Sequence, residues 1–204
     1  MMKLMGIRLS LIWLVIAMAI TAQNDTPAPV LDIAGKPLRP GVEYYINPAI
    51  TDMGGALTLV QRNGSSCPKY VGQERVSLNR LPVKFSLFDD SQNVVRLGKN
   101  FKATFSAATT CGVSTMWNVG ERDAATQKRL IEAGDDGSYF LIGRDNRLGG
   151  NSNIYNLRYC PVEVCPLCRF ECGTFEALLI ENGVKLMSLG VDGTPLAVEF
   201  ERVN

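Results

Sequence analysis

The chain has 204 residues, 46% of them hydrophobic, with 21 basic and 20 acidic side chains, six cysteines and no histidine. Such a balance makes no field to gather nucleic acid or an anionic membrane, so any partner must be chosen by shape. The missing histidine removes the usual base of Ser–His and Cys–His nucleophiles and the commonest metal ligand, which excludes the common hydrolases; no enzyme activity and no cofactor is expected.

At the start of the chain Lys3 and Arg8 precede an apolar run from Leu9 to Ile20 that stops at small residues. This reads as a signal peptide over residues 1–22, with cleavage after Ala22 or Ala19, because the run is shorter than the ~20 residues needed to span a bilayer. Residues 23–204 then have a length that suits one domain, exported from the cell or routed to a vacuole or cell wall. Two sequons, at Asn24 and Asn63, lie in turn-like polar sequence and are candidate glycosylation sites.

From there on, short runs rich in β-branched and aromatic residues alternate with Gly, Asn, Asp and Pro, and helical periodicity is nearly absent. In chain order the runs are EYYI (43–46), ALTLVQ (56–61) and LPVKFS (81–86), then KATF (102–105), STMWNV (114–119) and SYFLIG (138–143), then NLRY (156–159), EALLIE (176–181) and LAVEFE (196–201). Corresponding runs recur about 55 to 60 residues apart. Three units of four short strands predict an all-β chain built as a β-trefoil, with a β-sandwich as the alternative. Gly120 to Gly137 is the most polar and helix-like stretch and reads as a solvated connection, and Trp117 reads as core.

Near the end, YCPVEVCPLCRFEC (159–172) holds four of the six cysteines in the spacing C-x4-C-x2-C-x3-C. An exported chain meets an oxidising compartment and the count is even, so disulfides are the expected state, with zinc or an iron–sulfur cluster as the alternatives. No thiol is left for an intermolecular bridge, and a monomer is expected.

The residues that carry a family resemblance span most of the chain. VLDIAGKPLRPGVEYYINPAITDMGGALTL (30–59) sets Asp32, Gly35, Pro37, Leu38, Tyr44 and Tyr45 in a characteristic order, and CPKYVGQ (67–73), LPVKFS (81–86) and KLMSLGVDGTPLAVEF (185–200) follow. In these the chain resembles the plant Kunitz family named for soybean trypsin inhibitor, and the cysteine cluster is similar to that of its miraculin-like branch. The resemblance implies a β-trefoil and the pairs Cys67 with Cys111, Cys160 with Cys172, and Cys165 with Cys168. It also implies inhibition of a serine protease through one exposed substrate-like loop, whose P1 side chain fills the S1 pocket.

The matching loop follows LPVKFS and runs Leu87, Phe88, Asp89, Asp90, Ser91, Gln92, Asn93, with the next strand expected near Val94. Trypsin-directed members place Arg or Lys at P1, where this loop has Asp89 and Asp90. Strong inhibitors also carry a bracing asparagine before the tyrosine pair, where this chain has Pro40. The resemblance thus implies weak trypsin inhibition, with Leu87 or Phe88 as P1 for a chymotrypsin- or subtilisin-type protease, or a cysteine protease engaged by another loop. The alternative is a miraculin-like protein of storage, defence or ligand binding that has lost inhibition.

Overall fold

The structure, a computed structural model, describes residues 26–50, 54–62, 64–75, 79–149, 153–179, 183–191 and 193–204. Their regular elements are twelve strands: β1 Glu43–Pro48, β2 Leu57–Arg62, β3 Ser65–Gln73, β4 Val83–Leu87, β5 Phe101–Phe105 and β6 Met116–Arg122, then β7 Arg129–Gly134, β8 Phe140–Arg144, β9 Tyr155–Tyr159, β10 Gly173–Leu179, β11 Lys185–Gly190 and β12 Val198–Arg202. All nine runs picked from the sequence fall on nine of these strands. The fold is all-β.

Every pairing is antiparallel, and six strands close a ring: β1 with β4, β4 with β5, β5 with β8, β8 with β9, β9 with β12, and β12 with β1. The other six form the hairpins β2–β3, β6–β7 and β10–β11, whose second strands touch one another in turn through Tyr70↔Glu132, Leu130↔Ser188 and Lys185↔Gln73. The three thirds of the chain share register: Tyr44↔Val83, Phe101↔Phe140 and Tyr155↔Val198 are corresponding pairs. Gly72 permits the close approach of β3 and β11, since a Cβ there would lie 2.4 Å from the Lys185 carbonyl oxygen.

Period-two burial explains why these sequences are strands: β5 buries Phe101, Ala103 and Phe105, and β9 buries Tyr155, Leu157 and Tyr159, with outward residues between. Inside, aromatic rings meet edge to face, as Phe85 does with Phe101 at 5.1 Å between centroids and Phe140 with Phe175 at 5.4 Å. Trp117 is fully buried among Phe105, Phe140 and Phe175, as its place in the repeat predicts.

The order of residues in the N-terminal segment has a physical cause. The buried Asp32 carboxylate accepts the N–H groups of Ala34 and Lys36, each at 2.9 Å, around a turn in which Gly35 takes a φ of 74°. The Tyr44 and Tyr155 hydroxyls accept the backbone N–H groups of Arg39 and Leu31 at 2.9 Å.

Two expectations are corrected. Residues 120–137 are not a solvated connection: β6 runs to Arg122, the chain turns, and β7 returns against it with Val119↔Ile131 and Trp117↔Ala133 in register, burying Ile131 and Ala133. Nor does a strand begin near Val94. Val95 is buried, donates to the Leu38 carbonyl and accepts from the Val30 N–H, and Arg96 bridges Pro29. That stretch is used to hold the N-terminal segment, and β5 starts only at Phe101.

Candidate functional site

The loop singled out in the sequence leaves the barrel between β4 and β5. Along β4, Val83 and Phe85 face inward while Lys84 and Ser86 face out. Leu87 is still in the ladder, opposite Phe101, and is half-buried against the core, so it is a strand residue and does not project from the loop. Phe88 is the first side chain beyond the ladder. Its N–H donates to the Asn100 carbonyl at 3.0 Å, and its ring stands edge-on to Tyr139 at 5.4 Å while remaining 41% exposed.

After Phe88 the chain curls into a β-turn, closed by the Gln92 N–H to the Asp89 carbonyl at 3.2 Å. The Asp89 carboxylate binds this turn from within: it accepts the Ser91 hydroxyl at 2.6 Å, the Ser91 N–H at 3.2 Å and the Gln92 side-chain amide at 2.8 Å. Those hydrogen bonds, from Ser91 first and then Gln92, hold the Asp89 carboxyl below its ordinary value. Asp90 and Ser91 lie exposed at the tip.

Pro40 does stand beside the loop, lining a shallow groove with Leu87, Asp90 and Gln92. Its ring has no donor to offer, and the neighbouring Gly41 N–H bonds to the Phe85 carbonyl of β4 at 3.0 Å. Support for the loop comes instead from Asn100, which is 3% exposed and was not visible as a functional residue in the sequence. Its side-chain amide donates to the Phe140 carbonyl at 3.3 Å, its own N–H donates to Glu163 at 3.1 Å, and its carbonyl holds Phe88. The basic residues that flank the loop in sequence are occupied elsewhere: Lys84 pairs with Glu43 at 3.0 Å, and Arg96 donates to the Pro27 carbonyl at 2.9 Å.

The six cysteines form Cys67–Cys111, Cys160–Cys172 and Cys165–Cys168, the pairs that the resemblance implies, with Cα separations of 5.6, 4.6 and 5.3 Å. Among the described residues no cysteine is free and no group of three His, Cys, Asp or Glu could hold a metal ion. A cleft of about 300 Å³ elsewhere holds charges that satisfy each other, Lys128 with Glu176 at 2.5 Å and Arg122 with Glu171 at 3.0 Å. Residues 1–22 and the sequon residues Asn24 and Asn63 lie outside the described residues.

Comparison with known proteins joins these features. The legume Kunitz family model, described as trypsin and protease inhibitor, matches residues 30–202. Kunitz type trypsin inhibitor 111 of Medicago truncatula is 40% identical over 200 residues, covering 94% of this chain and 93% of that protein. Miraculin of Synsepalum dulcificum is 31% identical over 198 residues, covering 90% and 87%. The solved structure of a Kunitz-type cysteine protease inhibitor from potato superposes with a TM-score of 0.71 at 28% identity, covering 88% of this chain and 99% of that one. The chain belongs to the Kunitz family of trypsin and protease inhibitors, whose members act on enzymes rather than as enzymes.

Proposed function

We propose that this protein is an exported β-trefoil inhibitor of a serine endopeptidase with an apolar S1 pocket, and that Phe88 enters that pocket. The closed ring of six strands, the three outer hairpins and the shared register of the three thirds support the trefoil reading. The observation that carries the functional reading is Phe88 itself: an exposed aromatic side chain on a loop already ordered by Asp89 from within and Asn100 from behind. Ordering costs are met during folding, so docking loses little entropy. The Medicago truncatula relative is named a trypsin inhibitor. In this chain trypsin is a poor target, because the neutral Phe88 ring brings no positive charge to pair with the aspartate at the base of the trypsin pocket.

Titration of chymotrypsin, subtilisin, trypsin and papain with the protein tests this. Chymotrypsin or subtilisin should be inhibited at nanomolar to micromolar concentration and trypsin much more weakly, and mass spectrometry of the slowly cleaved inhibitor should show the cut after Phe88. A cut after Arg75 or Arg80, in the β3–β4 connection, would move the inhibitory loop there. Inhibition of papain alone would replace the serine class by the cysteine class, and inhibition of none would favour a non-inhibitory role like that of a miraculin-type scaffold.

A further inference from the structure

Two loops that lie far apart in sequence share one base. Glu163, between Cys160 and Cys165, gives one carboxylate oxygen to Lys99 Nζ at 2.6 Å and the other to the Asn100 N–H at 3.1 Å. The Asn100 carbonyl in turn holds the Phe88 N–H at 3.0 Å. Between the two loops only a cleft of about 10 Å³ remains, lined by Leu87, Asp89, Gln92, Lys99, Asn100 and Glu163, which is room for about one water.

The cysteine loop is closed twice. Cys160–Cys172 ties its ends, and Cys165–Cys168 closes a ring around Pro166 and Leu167. The Cys168 N–H donates to the Cys165 carbonyl at 3.1 Å, so the ring is a β-turn with proline at its second position, where a fixed φ suits it. At the third position Leu167 is 97% exposed, and Val162 on the same loop is 51% exposed. A single exposed leucine is ordinary on a protein surface. This one is clamped by a disulfide ring that is carried on a second disulfide, and Glu163 of the same loop is ion-paired to Lys99, next to the Asn100 that holds Phe88.

We propose that Leu167 is a second anchor for the target endopeptidase, docking in an apolar depression outside the catalytic cleft while Phe88 occupies the cleft, and that Glu163 and Asn100 fix the spacing of the two. The inference rests on the reading of Phe88 as the inhibitory residue. A closed β-turn cannot lie as an extended strand in a catalytic cleft, so Leu167 acts as a knob and not as a substrate mimic. Two apolar anchors on one preordered frame both contribute to affinity without a further ordering cost.

The test compares wild type, Leu167→Ala, Glu163→Gln, the double variant and Phe88→Ala in binding rates and inhibition of chymotrypsin and subtilisin, with papain as a further arm and thermal midpoints alongside. Leu167→Ala should raise the inhibition constant about tenfold, mainly through faster dissociation, with an unchanged midpoint because the side chain already sits in water. Glu163→Gln should raise it about threefold alone and add nothing on the Leu167→Ala background, as a positioning residue must. Inhibition by Leu167→Ala within twofold of wild type would overturn the anchor, and additive effects would overturn the positioning role. Full inhibition by Phe88→Ala beside loss in Leu167→Ala would overturn the two-anchor arrangement. A wild type that inhibits none of the three proteases would overturn the underlying reading instead.

Discussion

Asp89 concentrates the order of the β4–β5 loop in one carboxylate. Replacing it with Ala removes the three hydrogen bonds that its two carboxylate oxygens accept and that brace the turn, so the Ser91 and Gln92 amides should exchange with solvent faster and inhibition of chymotrypsin should weaken about three- to tenfold. The pH dependence follows from the direction of its shift. A carboxyl whose native pKa is depressed supports the turn fully above the ordinary aspartate value, about pH 4, and loses that support as the pH falls below it through the native value. Amide exchange at Ser91 between about pH 5 and 2 should therefore accelerate beyond the intrinsic trend, and an exchange rate that follows the intrinsic trend would show that the carboxylate does not hold the turn. The acidic tip and the proline at position 40 were legible in the sequence, because both are departures at known places in a pattern. Asn100 and Glu163 were not legible, since their roles depend on partners up to 64 residues away that no local pattern reveals.

Among the elements, the hairpins are the less legible half of the fold. β3, β7 and β11 were not picked out as strands, and β7 shows why: Arg129 and Glu132 interrupt its apolar residues within a stretch rich in helix formers, and only pairing with β6 explains the burial of Ile131. One contact locks two hairpins together, the fork of Arg62 at the end of β2 on Asp123 in the β6–β7 turn, at 2.5 and 3.1 Å. The Arg62 guanidinium, aided by Thr126, holds the Asp123 carboxyl well below the ordinary carboxylate range. Asp123→Asn should cost about 1 kcal/mol at neutral pH. The cost should shrink in acid, since the native carboxylate's advantage is complete above about pH 4 and is lost progressively as the pH falls through its depressed native value; a smaller gap between denaturant midpoints at pH 2 than at pH 7 checks this. The disulfides rank by loop length on the chain-entropy estimate. Cys67–Cys111, with a separation of 44 residues, should contribute ~4 kcal/mol, and Cys165–Cys168, with a separation of 3, only ~2 kcal/mol. Alanine replacement of the first pair should lower the melting temperature more than replacement of the second, and the reverse order would sink the loop-length argument here.

For the whole molecule, stability is concentrated where the thirds meet. Phe140 of β8 touches the rings of Trp117 from β6, Tyr159 from β9 and Phe175 from β10, and is fully buried. Phe140→Ala should cost about 3–5 kcal/mol, read as a lowered denaturant midpoint, because rings supplied by separate strands cannot easily collapse into the cavity. This level was the most legible from sequence, since runs such as EYYI, KATF and NLRY recur about 55 to 60 residues apart and a closed barrel is the arrangement that treats them alike. The closure has a further consequence for a protein that meets proteases. Proteolysis needs an extended segment that can be drawn into a cleft as an added strand. In the ring each strand is already flanked on both sides, so its backbone must first be stripped from its neighbours. Digestion should thus be confined to connections such as residues 88–93. A cut there would leave β4 on β5 through all five ladder positions from Val83↔Phe105 to Leu87↔Phe101, so the nicked molecule would keep its shape and survive its encounter with the enzyme.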